Sequence, residues 1–384
     1  MRRLVRVARG EGGGYLDRAP ARRPQYVECA VTGPISAKLA GGKKLHEGPE
    51  TPVTFIVTAY NIEDYIDRAL SSVVDQGIEG AEIIVIDDGS SDSTFVRACR
   101  FLKGEPKCRV IAQENAGPGA ARNVGVAQAS GDYILYLDGD DWLAPGAARA
   151  LLNAAEKTKA DIVLSNRRRY WDRTGNYTTK AMFTAEQVGK PESIERILNV
   201  IAIHGKLFRR QFLVRNQIEF PVGMTSEDFV FSYHTYALAK TVATLPLVTY
   251  FYRKRHDPEN RSITQGRLTE TNLTSRFRQI ELTQALVAQH RMSERFPDTS
   301  LIRIDYDHRL MRHIHSLPGA DPATRARGFE LVREFLGRHR EAALASARKP
   351  TRDIYELILA GRDEEAMPLI ADSFAKAQAA KAKS

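Results

Sequence analysis

Three carboxylates, Asp138, Asp140 and Asp141, fall within four residues where the apolar run YILYL ends in DGDDW. Like charges this close raise one another's pKa and cost stability unless a cation lies among them. The stretch therefore reads as half of a site whose positive partner the motif itself does not supply. Polar groups recur at the ends of other apolar runs: residues 58–61 (TAYN) after VTFIV, Asp87 and Asp88 after EIIVI, and Asn115 after CRVIAQ.

The elements that deliver these groups follow from periodicity. VTFIVTAY, AEIIVIDDGS, CRVIAQ and DYILYLD read as short buried strands. Between them NIEDYIDRALSSVVDQ places Ile62, Ile66, Leu70 and Val73 on one helical face, and DSTFVRACRFLKG and GPGAARNVGVAQASG also read as helices. A β-α-β-α-β-α-β order predicts right-handed crossovers and an open α/β sheet that binds ligands beyond the carboxyl ends of its strands. Four polar clusters then meet at one edge, a far more specific signal than any one of them. Further on we expect a helix over about 145–158, a strand in ADIVLSN, a helix starting near Ser226 and a strand in VATLPLVTYFYRKR. Past about residue 265 the pattern is helical, with Leu273, Phe277 and Ile280 on one face, and Phe329, Val332 and Leu336 on another. TRDIYELILAG runs from a Thr cap to a Gly stop, and AKAQAAKAKS reads as a frayed tail.

This gives a basic, partly flexible extension over 1–50 with one strand in YVECAVTG that packs on the main domain, an α/β domain over 51–264, a helical region over 265–370 and a tail over 371–384. The 384 residues carry a net charge of +9, which favours an anionic partner: a nucleotide, a nucleic acid or an acidic membrane surface. Three irregularly spaced cysteines and no Cys-x-x-Cys pair argue against a disulfide framework or a zinc site and fit a reducing cytosol. The basic N-terminal arm has no apolar signal-peptide core, and no run of about 18 apolar residues predicts a transmembrane helix. We therefore expect a cytoplasmic chain whose membrane contact, if it makes one, is peripheral at the inner face.

The ordered set VTAYNIEDYIDRALSSVVDQ, EIIVIDDGSSDST, NAGPGAARNVGVAQASGDYILYLDGDDWLAPG, HGKLFRRQFL and SEDFVF resembles the family 2 glycosyltransferases, inverting enzymes of GT-A fold. The resemblance covers residues 53 to about 263, a little over half the chain. It departs at Thr58, where the family usually has Pro, a change that affects loop rigidity. It implies metal-dependent transfer of a sugar from a nucleotide-sugar donor, expected to be UDP-linked, to a hydroxyl of a glycan or lipid-linked acceptor in cell-surface polysaccharide synthesis.

In that frame the acidic triplet has a chemical reason. A donor diphosphate is repelled by an acidic edge unless a hard divalent cation, Mn²⁺ or Mg²⁺, lies between them. The family's motif assigns Asp138, beside Gly139, to the donor's ribose or sugar and Asp140 to the metal. Asp141 is either a second metal contact or a cap for the helix near Pro145. Asp87 or Asp88 accepts from a uracil imide or a ribose hydroxyl, and also forms an Asx turn ahead of a helix cap at Ser91 or Asp92. Thr58, Ala59 and Tyr60 line the other side of the base with Tyr60 as a stacking surface, Asn115 lies on the donor side, and Arg122 either reaches the donor phosphate or is an exposed arginine at a Gly-rich helix start. Asp228 is the expected general base and Glu227 orients the acceptor, while Ser226 reads equally as a helix cap.

His204 and Lys206 either flank the donor or pack. His256 is a further candidate metal ligand, and Arg253 and Arg261 are candidate diphosphate contacts. IDYDHRLMRHIHS lacks the i, i+4 histidine pair of a helical zinc site and reads as a polar helix face. The rival function is an inactive transferase-like domain acting as a basic membrane- or nucleic-acid-binding protein. Dispersed basic residues and the absence of any zinc-finger or RNA-recognition signature argue against nucleic acid. The C-terminal helices are a candidate surface for homo-oligomer formation.

Overall fold

A computed structural model describes residues 27–30, 51–179, 181–256, 269–296 and 304–382. Strand β1 (Val27–Ala30) pairs antiparallel with β4 (Cys108–Ala112), so the strand expected in YVECAVTG does join the main sheet. β2 (Val53–Ala59), β3 (Glu82–Asp87), β4 and β5 (Tyr133–Asp138) are mutually parallel, connected by helices α1 (Ile66–Val74), α2 (Thr94–Phe101) and α3 (Pro118–Gln128). The sheet then continues through β6 (Trp142–Leu143), β7 (Ile162–Trp171), β8 (Asn176–Thr179), β9 (Gln187–Gly189), β10 (Lys206–Arg209) and β11 (Val242–Lys254). Its main order is β1-β4-β3-β2-β5-β10-β7-β11-β6, with β8 on β7 and β9 on β11. β10 is antiparallel to both β5 and β7, whereas β11 runs parallel to β7.

Burial on both faces explains why these strands read as continuous apolar runs rather than alternating ones. Phe55, Val57, Val85, Leu135 and Leu137 pack on one side against α1, α2 and α4 (Ala147–Thr158). Ile56, Ile84, Ile86, Ile134 and Tyr136 pack on the other with Phe208, Phe220 and Phe231, beneath α3, α5 (Arg210–Arg215) and α6 (Glu227–Leu238). Register brings Thr58 level with Asp138 and Ala59 level with Asp87. The chain order switches at β2, between β3 and β5, where a ligand crevice is expected in such a sheet.

A third apolar cluster joins α7 (Glu270–Gln289) to the C-terminal helices, with Phe277 stacked on Phe335 at 4.4 Å. Three local readings change here. The helix over Lys349–Leu359 begins before Thr351, which lies buried in its first turn, while Gly361 (φ 72°) follows its end as expected. The expected frayed tail is helical through Ala382, in keeping with its alanines and lysines. IDYDHRLMRHIHS is a solvated face only at His308 and Arg312: a π-helix over Ile304–Leu310 buries Asp305 against Arg309 at 2.5 Å, and Arg309 donates to the Tyr233 hydroxyl at 3.0 Å. An i, i+4 ion pair neutralises itself, so the cluster can enter the core without a metal.

Candidate active site

The carboxyl edge of β2, β3 and β5 carries the expected donor residues, and the structure gives them distinct work. Asp88 is a loop clamp whose two oxygens accept from Gln113 Nε2 and from the backbone N–H groups of Ala116 and Gly117, at 2.7–2.9 Å. Asp87 is also buried, but only its Oδ2 is engaged, accepting from Ser90 N at 3.1 Å in the expected Asx turn. Its Oδ1 is buried without a hydrogen-bond partner, and burial pushes its carboxyl pKa up. An orphaned buried acceptor suits a ligand N–H or hydroxyl. Tyr60, 48% exposed, leaves a ring face open beside Thr58 and Ala59, and Asn115 is exposed on the loop that Asp88 fixes. The N-cap of α2 is Ser93 rather than Ser91 or Asp92, although Asp92 Oδ1 accepts from Thr94 N at 2.9 Å just ahead of the helix.

Arg122 ties this edge to the far side of the site. Its guanidinium rises from α3, buried, to meet Asp138 Oδ1 at 2.8 Å, Glu227 Oε1 at 2.5 Å and Asp228 Oδ1 at 3.4 Å. One cation thus serves three carboxylates delivered by β5 and the start of α6. The helix start is tightly placed: a Cβ on Gly119 would lie 2.7 Å from Pro221 O and 3.3 Å from Glu227 Cγ. Ser226 holds φ 88°, a costly angle for a non-glycine residue. Its hydroxyl does not cap α6 but accepts from Arg276 Nη2 at 3.2 Å. Burial raises the Asp228 pKa to about 6 despite Arg122, and Glu227 adds to the rise.

The acidic triplet separates by partner. Burial opposes ionisation of Asp138, but Arg122 and His204 outweigh it and hold the carboxyl well below its ordinary range. Asp140 pairs with Arg255 Nε at 2.9 Å. Asp141, 1% exposed, accepts from the Tyr250 hydroxyl and from Arg253 N, both at 2.7 Å. It does not cap α4, whose N-cap is Gly146. Burial, Asp140 and Asp138 together push the Asp141 pKa well up, because its partners are neutral donors. Gly139 lets the backbone turn here, since a Cβ would meet Ile62 Cδ1 and lie 2.9 Å from Thr58 O.

A divalent cation fits this donor set. Ligand atoms of Asp138, Asp141 and His204 lie within 4.8 Å of one another, and among the described residues Asp141 makes no ion pair, its bonded partners being the Tyr250 hydroxyl and a backbone N–H. Asp140 is turned toward Arg255 instead, and His256 is exposed after β11, outside that group. The Arg253 guanidinium is engaged by Asp172 at 2.6 Å and by the Asp140 carbonyl at 2.8 Å. Arg261 lies outside the described residues.

Lys206 packs rather than flanking a donor: its buried Nζ donates to Val200 O, Ser232 Oγ and the Tyr236 hydroxyl, at 2.7–2.9 Å. His204 joins the site, with Nε2 3.0 Å from Asp138 Oδ2 and Nδ1 2.8 Å from Arg167 Nη1, its ring stacked on Tyr250 and Tyr252. Sequence reasoning missed Arg167, Tyr250, Tyr252 and Arg255. The i, i+2 spacing of Tyr250 and Tyr252 places both on one strand face, a signal that was legible.

Comparison with known proteins agrees with this architecture. Residues 54–217 match the family model for glycosyl transferase family 2. The chain is 32% identical over 212 residues to the putative glycosyltransferase EpsH of Bacillus subtilis, covering 53% of this chain and 61% of that protein. It is 30% identical over 216 residues to the poly(ribitol-phosphate) beta-glucosyltransferase of Bacillus spizizenii, covering 55% of this chain and 33% of that one. The chain thus spans less than two thirds of the length of these curated relatives. Among solved structures it is similar to residues 1–349 of S. aureus TarS in complex with UDP-GlcNAc, with a TM-score of 0.65 at 19% identity over 85% of this chain and 92% of that one. That likeness extends the shared fold through the C-terminal helices. Residues 54–217 thus carry a match to glycosyl transferase family 2, on a GT-A-like fold that the chain shares with that structure.

Proposed function

We propose that the protein is an inverting glycosyltransferase that moves a hexosyl group from a nucleotide sugar, UDP-linked, to a hydroxyl of a glycan or lipid-linked acceptor in cell-surface polysaccharide synthesis. The observation that carries this reading is the convergence of Asp138, Glu227 and Asp228 on Arg122, which sets a donor-edge acid beside a base with a pKa of about 6. The match of residues 54–217 to the family model and the UDP-GlcNAc complex of the TarS neighbour support it.

In this reading Asp87 Oδ1 accepts from the base or ribose, Tyr60 stacks on the base, and Asp138 takes the donor's ribose or sugar. The acceptor hydroxyl loses its proton to Asp228 as its oxygen attacks the anomeric carbon. The bond from that carbon to the diphosphate oxygen breaks, and the nucleoside diphosphate leaves with the bonding pair. Attack from the face opposite the leaving group inverts the anomeric configuration. Such a base typically contributes about 10² to 10⁴ in rate. Asp138, Asp141 and His204 would hold Mn²⁺ or Mg²⁺, with Asp140 joining them in exchange for its Arg255 pair, and the cation would neutralise charge on the departing diphosphate. Glu227 orients the acceptor and is itself fixed by Arg122.

No helix among the described residues is long and apolar enough to cross a membrane. We assign the chain to the cytoplasmic side, where nucleotide sugars are available, with the helices after residue 265 as a separate unit packed on α6 through α7. A thermal-shift screen of UDP, GDP and dTDP sugars with Mn²⁺ tests the donor assignment. Stabilisation by UDP sugars in preference to the others is expected, and no stabilisation by any of them would refute it.

A further inference from the structure

Beyond His204 the sheet edge carries an arrangement that the donor chemistry leaves unused. β7 and β11 run parallel past the catalytic edge, with Arg167 opposite Tyr250, Arg169 opposite Tyr252 and Trp171 opposite Lys254. Alternate residues of a strand share a face, so Arg167, Arg169, Trp171, Tyr252 and Lys254 form one strip. It starts at His204, whose ring stacks on Tyr252 and bonds Arg167, and runs outward to Trp171, 38% exposed.

Its three cations make no ion pair among the described residues. Arg169 lies over the Trp171 ring at 5.4 Å, while Arg167 and Lys254 lie over Tyr252 at 5.5 and 4.6 Å. Burial lowers the Lys254 pKa, and the charges of Arg169 and Arg167 lower it further. Like charges gathered this way cost stability, and cation–π contacts offset only part of that cost. The electrostatic deficit is the mirror image of the acidic triplet's, and an anion would offset it. Position excludes the nucleoside: Asp87 and Tyr60 stand at β3 and β2, on the other side of β5 and β10 from β7. Arg167 instead reaches the catalytic cluster through His204, which bonds Asp138, and Asp138 shares the Arg122 guanidinium with Asp228, the proposed base. An exposed Trp171 ring and a half-buried Tyr252 ring interleaved with cations suit sugar or polyol units bearing anionic groups.

We propose that this strip is the acceptor track, and that the acceptor is an anionic chain, a glycan or polyol polymer carrying phosphodiester or carboxylate groups, laid along β7 and β11 toward Asp228. This rests on the transferase reading for direction but is tested separately. Binding of fluorescent poly(glycerol phosphate), oligogalacturonate and neutral maltooligosaccharide probes is measured with the full chain, without donor, at two salt concentrations. UDP binding with Mn²⁺ is measured alongside. Wild type is expected to bind one anionic probe at least tenfold more tightly than the neutral one and to weaken with salt, and the better anionic probe identifies the charged group. Arg169→Ala with Lys254→Ala should lose at least tenfold in that affinity at unchanged UDP affinity, and Arg169→Lys with Lys254→Arg should retain most of it. Equal binding of all probes, no binding of either anionic probe, or an unaffected double variant overturns the proposal. A parallel loss of UDP affinity also overturns it, assigning the strip to the donor diphosphate. Anionic-probe binding by a protein that binds no nucleotide sugar would keep the track and remove the transferase reading.

Discussion

Replacing Arg122 with Met keeps most of the stem and deletes the guanidinium shared by Asp138, Glu227 and Asp228. At an effective dielectric constant of about 20, one such pair at about 4 Å is worth about 4 kcal/mol before desolvation. Removing one partner of a buried pair costs about 3–5 kcal/mol, because the remaining charge is left uncompensated. Three carboxylates are stranded here, so the upper part of that range is expected at pH 8. The sign of the pH dependence follows from linkage. In the wild type Asp138 is ionised more readily folded than unfolded, so its contribution is present above its ordinary pKa and lost as pH falls below it. In the variant the folded state prefers all three carboxyls protonated, so the penalty is largest at pH 8 and shrinks toward pH 5. Urea unfolding of both proteins at the two pH values measures this. A loss below about 1 kcal/mol at pH 8, or equal losses at both, would refute the claim that Arg122 neutralises the cluster.

Other outcomes follow from the same geometry. If Asp228 is the base, kcat/KM should fall tenfold per pH unit below about 6 and level off above it; a profile flat to pH 5 contradicts that role. Gly119→Ala drives a Cβ against Pro221 O and Glu227 Cγ, so turnover should fall at least tenfold while urea unfolding registers about 1–3 kcal/mol; unchanged turnover would mean that the helix start tolerates displacement. Burial lowers the Lys206 pKa to about 7 from an ordinary 10.5, so between those values the unfolded chain binds the extra proton and folding stability rises with pH, by about 1.4 kcal/mol per unit. Lys206→Met should flatten that slope relative to wild type, and identical slopes would deny the shift. Mn²⁺ should raise Tm in the presence of UDP and Asp140→Ala should reduce that rise, whereas an undiminished rise would remove Asp140 from the metal site.

The α/β half of the chain was legible because its information is local. Strands buried on both faces give unbroken apolar runs, and Asp87, Asp138 and residues 58–61 sit at their ends, where register alone aligns them. The partnerships were not legible, because they depend on distance in space. Arg122 and Glu227 are 105 residues apart, and nothing at either position distinguishes a buried triple ion pair from an exposed arginine and a helix cap. Asp87 and Asp88 look alike in sequence, yet the loop at 115–117 saturates only Asp88. The acids and histidines of residues 304–315 suggested a wet face because composition cannot reveal a π-turn that pairs Asp305 with Arg309 inside the core.

As the proposed base, Asp228 acts on the acceptor and leaves donor binding intact, and one paired measurement tests that directly. Asp228→Asn keeps the side chain's size and removes its capacity to take a proton. With Mn²⁺ and a UDP sugar, the variant should bind donor within a few-fold of wild type and lose about 10² to 10⁴ in the rate of donor turnover. Turnover retained within tenfold at normal donor affinity would contradict the assignment of Asp228 as the base.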